Sequence, residues 1–340
     1  MSAKILEDNQ IEEEDKAEVR LRPQKLTEFI GQPKLKEQLG ILIQAAKERK
    51  ESLEHLLFYG PPGLGKTTLS SLLAKEMGVN IRITSGPALE RAGDLASILT
   101  SLEPGDILFI DEVHRLNKVV EETLYPAMED FCLDMVLGRG PAARTLRLDL
   151  NHFTIVAATT RIGLLSSPMR DRFGFVHKLE FYSPENIEKI IIRSAEILGV
   201  KIDKKGAEEI SKRSRGTPRI ANRILRRVRD FAQVRAKGEI NAGVAGEALL
   251  MLAVDDWGLT QADRYFLRSL AEKHQGGPVG IETLAATVSE DIGTIEEVYE
   301  PYLLQIGFLK RTPRGRMMTP RAFEFLNMPL PKKLQQEGLF

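Results

Sequence analysis

A single cysteine, Cys132, leaves this chain unable to close an internal disulfide, which fits a reducing compartment. No run of about eighteen apolar residues occurs, so no helix is expected to span a bilayer. The start, "MSAKILEDNQIEEEDKAEVR", places acids where a signal peptide needs a basic start and an apolar core, so a cytoplasmic location is expected. The five histidines show no ligand spacing, with each other or with Cys132, and no structural zinc is expected. Aromatic residues make up only 6%, within a composition otherwise ordinary for globular proteins.

A net charge of zero conceals unlike segments. Residues 1–20 hold seven acids and three bases, whereas residues 211–240 hold ten bases and two acids, and 301–340 seven bases and two acids. Such basic segments suit phosphates, or else form solvated helix faces. The acidic arm 1–20 reads as disordered. Beyond it, apolar strands at 55–59, 80–84, 106–110 and 153–160 alternate with helices, including 66–77 and 116–130. That alternation predicts an α/β domain with a parallel sheet covered on both faces, over 21–182. Within it, period-two alternation on both sides of "GRGP" predicts a β-hairpin over 131–150. Its apolar face either folds onto the body or docks a partner. Residues 183–255 read as helices only, a small all-helical domain. Residues 256–330 read as three helices and a basic hairpin around Thr-Pro-Arg-Gly, a winged-helix domain, with 331–340 a tail.

"GPPGLGKT" (60–67) directly follows a strand and opens a helix, the setting of a phosphate-binding P-loop. Gly63 and Gly65 allow backbone N–H groups to face a phosphate, assisted by the helix N-terminus. Lys66 reaches the β- and γ-phosphates of ATP, Thr67 ligates Mg²⁺, and Thr68 bonds the α-phosphate. "DILFIDEVHR" ends a strand in Asp111, placed for the Mg²⁺ shell, then Glu112, placed to polarise the attacking water. Thr160, with Thr159 the alternative, would orient that water. Arg170 and Arg172 in "SSPMRDRFG" are candidate arginine fingers aimed at a neighbour, and Arg219 opens a helix of the small domain.

Together these features look like an AAA+ ATPase. "RPQKLTEFIGQ", "HLLFYGPPGLGKTTL", "LYPAMEDF", "ATTRIGLLSSPMRDRFG", "RSRGTPRIANRILRRVRDFA" and "YEPYLLQIGFLKRTPRGR" go further, and the chain resembles the RuvB family, motors of bacterial Holliday junction branch migration, over residues 20 to about 325. The resemblance implies that Leu21, Arg22 and Tyr182 border the adenine and that Gly63, Lys66, Thr67 and Thr68 bind phosphate. It also implies that Glu129, Asp130 and Phe131 lie near nucleotide. Arg172 would be the finger acting in trans, ahead of Arg170, and Arg219 would report on nucleotide in its own subunit. Arg311 and Arg316 would contact the DNA backbone; Ile292 stands where some members carry a basic residue, and no contact is carried over there. The implied partners are duplex arms of Holliday junctions, RuvA through the 131–150 hairpin, the resolvase RuvC, and identical subunits in a hexameric ring, with no membrane. An AAA+ clamp loader or protein remodeller, and a nucleotide-switched DNA-binding regulator, are the competing expectations.

Overall fold

The computed structural model describes residues 19–137 and 144–331. The chain divides into two compact units between Asn186 and Ile187.

The first unit is built on five parallel strands: β1 (Leu56–Tyr59), β2 (Ile81–Ser85), β3 (Ile107–Asp111), β6 (Thr154–Thr159) and β7 (Phe175–Lys178), in the order β2-β3-β6-β1-β7. Strand β7 was absent from the sequence expectation; its Val176 is exposed and its pattern half-buried, as suits an edge. The central strands are buried except at their last residues, Tyr59 of β1 and Asp111 of β3, because both faces are covered. On one face Leu57, Leu108, Ile110, Ile155 and Ala157 pack with Leu95 and Leu99 of α3 (Ala92–Leu99) and Val120 and Leu124 of α4 (Lys118–Glu129). By strand alternation Leu56, Phe58, Phe109, Val156 and Ala158 point the other way, where α1 (Pro33–Arg49) and α2 (Lys66–Met77) bury Leu35, Leu39, Leu69 and Leu73. Helix α4 starts at Asn117, whose side chain accepts from the Val120 N–H.

The expected hairpin is present as β4 (Cys132–Leu137) paired antiparallel with β5 (Arg144–Asp149), and its tip lies outside the described residues. The two readings of its apolar face divide along its length. Leu133 is fully buried opposite Leu148 in the sheet's core, whereas Leu146, two residues nearer the tip, is 44% exposed.

Helix α6 (Pro184–Leu198), which follows the short α5 (Ser167–Asp171), begins three residues before the division and runs on into the second unit. Then come α7 (Lys204–Lys212), α8 (Pro218–Arg235) and α9 (Ala242–Met251). The helices-only expectation needs a correction: β8 (Lys201–Ile202) pairs in parallel with β9 (Glu239–Ile240). Two residues are too few to show alternation. The chain continues through α10 (Gln261–His274) and α11 (Ile281–Val288) to a helical run over 292–305. That run contains a π-turn, Ile295–Tyr299, which the sequence did not signal. Strands β10 (Leu309–Thr312) and β11 (Gly315–Met318) form the wing, around a core of Phe266, Leu270, Leu284, Leu303, Phe308 and Phe323.

Buried polar contacts join the helical part to the winged-helix part. Arg215 donates from Nε to the Gly258 carbonyl at 2.7 Å, pairs with Asp263, and lies 5.1 Å from the Tyr302 ring centroid. Asp263 is 2% exposed and also accepts from the Thr260 N–H. A lone charge buried there would be costly, so the pair holds only while both parts stay together.

Candidate functional site

Parallel strands place their C-terminal ends together, and the P-loop leaves that edge. Gly60 donates its N–H to the Thr159 carbonyl at 3.2 Å, setting the loop beside the end of β6. The loop's turns require glycine: Gly63 and Gly65 have φ of +77° and +101°. Lys66 is 8% exposed, and its Nζ donates to the carbonyls of Gly60 and Pro61 at 2.8 and 2.9 Å. The ammonium is thereby held within the curve of the loop. Thr67 and Thr68 lie half-buried in the first turn of α2, at its positive dipole end.

Beside the loop is a small aromatic wall. Tyr182 donates its hydroxyl to the Leu64 carbonyl at 3.1 Å, and burial pushes its pKa well up, so it stays a neutral donor. A Cβ on Gly31 would sit 2.6 Å from the Tyr182 ring, and one on Gly65 would sit 3.3 Å from the Phe29 ring. Phe29 was missed as a candidate: it lies more than thirty residues before the loop, and only the "EFIGQ" quoted for the resemblance could have flagged it. Leu21 is buried and Arg22 half-buried upstream of it.

Asp111 ends β3, one strand beyond β6, and its Oδ1 accepts from the Glu112 N–H at 2.9 Å. Glu112 has φ of +48°, and its carboxylate accepts from Arg115 at 2.8 Å. Of the two threonines, Thr159 is fully buried with its hydroxyl engaged by His114 and the Arg161 N–H. Thr160 differs: its Oγ1 is buried with no hydrogen-bond partner. An unsatisfied hydroxyl at this edge is what a γ-phosphate or its attacking water would satisfy.

The remaining candidates gather at the opposite edge, where the strands begin. His55 precedes β1 and meets the Met128 carbonyl at 3.1 Å, just before Glu129, Asp130 and Phe131, and the Phe131 ring is 6.2 Å from His55. Arg172 lies on the same side, before β7: it pairs with Glu129 at 3.1 Å and stacks 4.1 Å over the Tyr125 ring. Arg170 is half-buried nearby and donates to Ser167. About four strand residues separate the two edges, roughly 13 Å. The predicted site is therefore two clusters on the first unit: a phosphate cradle with its acids at one edge, and Arg172 with Glu129 at the other.

In the second unit, Arg219 lies in the first turn of α8. On the wing, Arg311 is 56% exposed and Arg316 only 15%, and both bond Glu300, which is fully buried. Arg316 also reaches Glu296 at 3.2 Å. Arg314, at the tip, is exposed, and Ile292 is 39% exposed at the start of the 292–305 run.

A P-loop on a parallel sheet, an Asp-Glu strand end and a C-terminal winged helix define an AAA+ ATPase with a nucleic-acid-binding type of domain. Three family models cover the chain in succession: the Holliday junction DNA helicase RuvB P-loop domain over residues 21–179, the RuvB AAA lid domain over 182–255, and the RuvB C-terminal winged helix domain over 256–327. The chain belongs to the RuvB family of Holliday junction branch migration ATPases. The Holliday junction branch migration complex subunit RuvB of Chloroflexus aggregans is 60% identical over 334 residues, 98% of this chain and 95% of that protein. A Thermotoga maritima structure described as the RuvB Holliday junction branch migration motor matches with a TM-score of 0.85 at 50% identity, over 92% of this chain and 100% of its own. A mutant of that protein matches with a TM-score of 0.86 at 50% identity, over 92% of this chain and 99% of its own.

Proposed function

We propose that the chain drives Holliday junction branch migration by hydrolysing ATP at a seam between two copies of itself, in a hexameric ring. The observation that carries this reading is the separation of the two clusters. Arg172 pairs with Glu129 at the edge where the strands begin, and the cradle leaves the edge where they end, about 13 Å away for a four-residue strand, so a finger at that edge serves a neighbour's nucleotide. In this reading Leu21, Arg22, Phe29 and Tyr182 bound the base, and Gly63, Gly65, Lys66, Thr67 and Thr68 hold the phosphates. Glu129, Asp130, Phe131, Arg170 and Arg172 face the adjoining subunit's site.

Thr67 and Asp111 are the groups that would hold Mg²⁺, together with phosphate oxygens and water, the usual arrangement for an ion that resists full dehydration. No cluster of three acids, histidines or cysteines exists among the described residues, which fits an ion completed by substrate. The metal would neutralise charge on the β- and γ-phosphates. Glu112, once released by Arg115, takes a proton from water held by Thr160, and Arg219 is the proposed nucleotide-reporting residue of the second unit. The wing meets duplex DNA through backbone phosphates at Arg311 and Arg316, contacts that carry no sequence information and permit sliding. The 131–150 hairpin, which exposes Leu146, is the proposed dock for RuvA, with RuvC joining to cleave the junction.

Glu112→Gln is the test. It should bind ATP, stay bound to junction DNA, and dissociate no synthetic four-way junction in the presence of RuvA. Turnover at the unmutated rate would remove Glu112 as the base and overturn this mechanism.

A further inference from the structure

One residue adjoins both segments that carry the proposed water-holding groups, Glu112 and Thr160, and has no role in that proposal. His114 stands two positions after Glu112 in the turn Val113–Arg115, and its Nδ1 is hydrogen-bonded to Thr159 Oγ1 at 2.9 Å. Thr159 is fully buried, and its hydroxyl also accepts the Arg161 N–H at 3.0 Å, closing a bend around Thr160. One hydroxyl thus fastens three things: the end of β6, the turn that carries Glu112, and the chain that presents Thr160. The turn is backed on its other side as well. A Cβ on Gly86, which follows β2, would fall 2.5 Å from the Glu112 carbonyl oxygen, so β2's end abuts the turn directly. The Glu112 carbonyl is tied in turn by the Arg115 N–H at 2.8 Å.

We propose that His114 is a positioning residue for hydrolysis, its bond to Thr159 fixing the spacing between the Thr160 hydroxyl and the Glu112 carboxylate. The bond connects the ends of two adjacent strands, β3 and β6. Backbone pairing of these strands extends only to Ile110 with Ala157, leaving the segments that bear Glu112 and Thr160 beyond the ladder. Without the bond, they depend on separate loops. A misplacement of about 1 Å at a reacting centre costs up to about 100-fold in rate.

The inference rests on the hydrolytic roles of Glu112 and Thr160, and the two can fail separately. The experiment uses the full chain, measuring DNA-stimulated ATP turnover and, independently, equilibrium binding of a fluorescent ATP analogue. His114→Ala should lower kcat by about 10- to 100-fold with the binding constant changed less than about twofold. His114→Asn, which offers a polar atom near the Nδ1 position, should recover most of that loss. Should His114→Ala fold poorly, Thr159→Val removes that bond together with the one from the Arg161 N–H, with little change in volume, and should give a kcat-only defect at least as large. The double variant should be no worse than Thr159→Val alone, because the His114 bond is already lost in that single variant. Full kcat in His114→Ala or Thr159→Val would overturn the proposal. So would a loss of kcat that follows weakened nucleotide binding, or one that Asn fails to recover. Normal turnover by Glu112→Gln would instead defeat the functional reading on which it stands.

Discussion

His55 has both ring nitrogens committed: Nδ1 accepts the Ile155 N–H at 2.9 Å, and Nε2 meets the Met128 carbonyl at 3.1 Å. That pattern fixes the neutral ring, with its hydrogen on Nε2 donated to Met128, and burial holds the pKa below 6.5. The sign follows from linkage. Near and below pH 6.5 the unfolded chain takes up a proton that the folded chain refuses, so stability present above that value falls as pH drops toward the folded pKa. His177 is lowered by burial too and acts in the same direction. Thermal unfolding of the wild type should therefore lose ground to His55→Gln on going from about pH 7.5 to about pH 5, leaving a shallower slope that His177 supplies. Parallel profiles would show that the ring titrates alike in both states. The linkage matters for function because His55 ties β1, which carries the P-loop, to the Met128–Phe131 corner at the opposite edge.

The wing shows how an element-level expectation is modified by its neighbours. A basic hairpin is legible from Thr-Pro-Arg-Gly and four bases, and it formed where expected. What the hairpin's own sequence could not convey is Glu300, ten or more residues upstream, whose fully buried carboxylate holds both Arg311 and Arg316. Arg316 therefore braces the wing as well as offering charge, while exposed Arg314 does not depend on that acid. Arg316→Ala should weaken duplex binding and also lower the unfolding midpoint, because it leaves the buried Glu300 carboxylate to Arg311 alone; the loss should stay below about 3–5 kcal/mol, the cost of a buried charge left with no partner. Arg314→Ala should flatten the slope of log affinity against log salt by about one unit and leave the midpoint unchanged. The check is a salt titration of binding beside thermal unfolding; equal midpoints for the two variants would dismiss the bracing role. The same limit explains β7 and the β8–β9 pair, short strands whose existence depends on partners distant in sequence.

At the scale of the whole molecule, legibility divides along the same line. The P-loop was readable because it is a local pattern: "GPPGLGKT" states its own glycine turns and the lysine that folds back into them. Phe29, the Tyr125 platform and the Glu129–Arg172 pair were not, since each depends on segments brought together by the sheet. The sequence offered Arg172 and the "MEDF" stretch separately. Their meeting at the edge away from the cradle is what makes a shared site the economical reading, and it sets the last prediction. On the proposed reading, Lys66→Ala subunits would lack a phosphate grip but keep a finger, and Arg172→Ala subunits would keep the grip and lose the finger. Each alone should show little ATP turnover, since an arginine finger is worth about 10³–10⁵ in rate. Mixed in one assembly, an Arg172→Ala cradle beside a Lys66→Ala finger restores one complete site at each such junction. DNA-stimulated activity should therefore pass through a maximum near equal proportions. A flat, inactive series in mixtures proven to co-assemble would mean that Arg172 acts within its own subunit, which would have to carry it from the Glu129 edge to the P-loop.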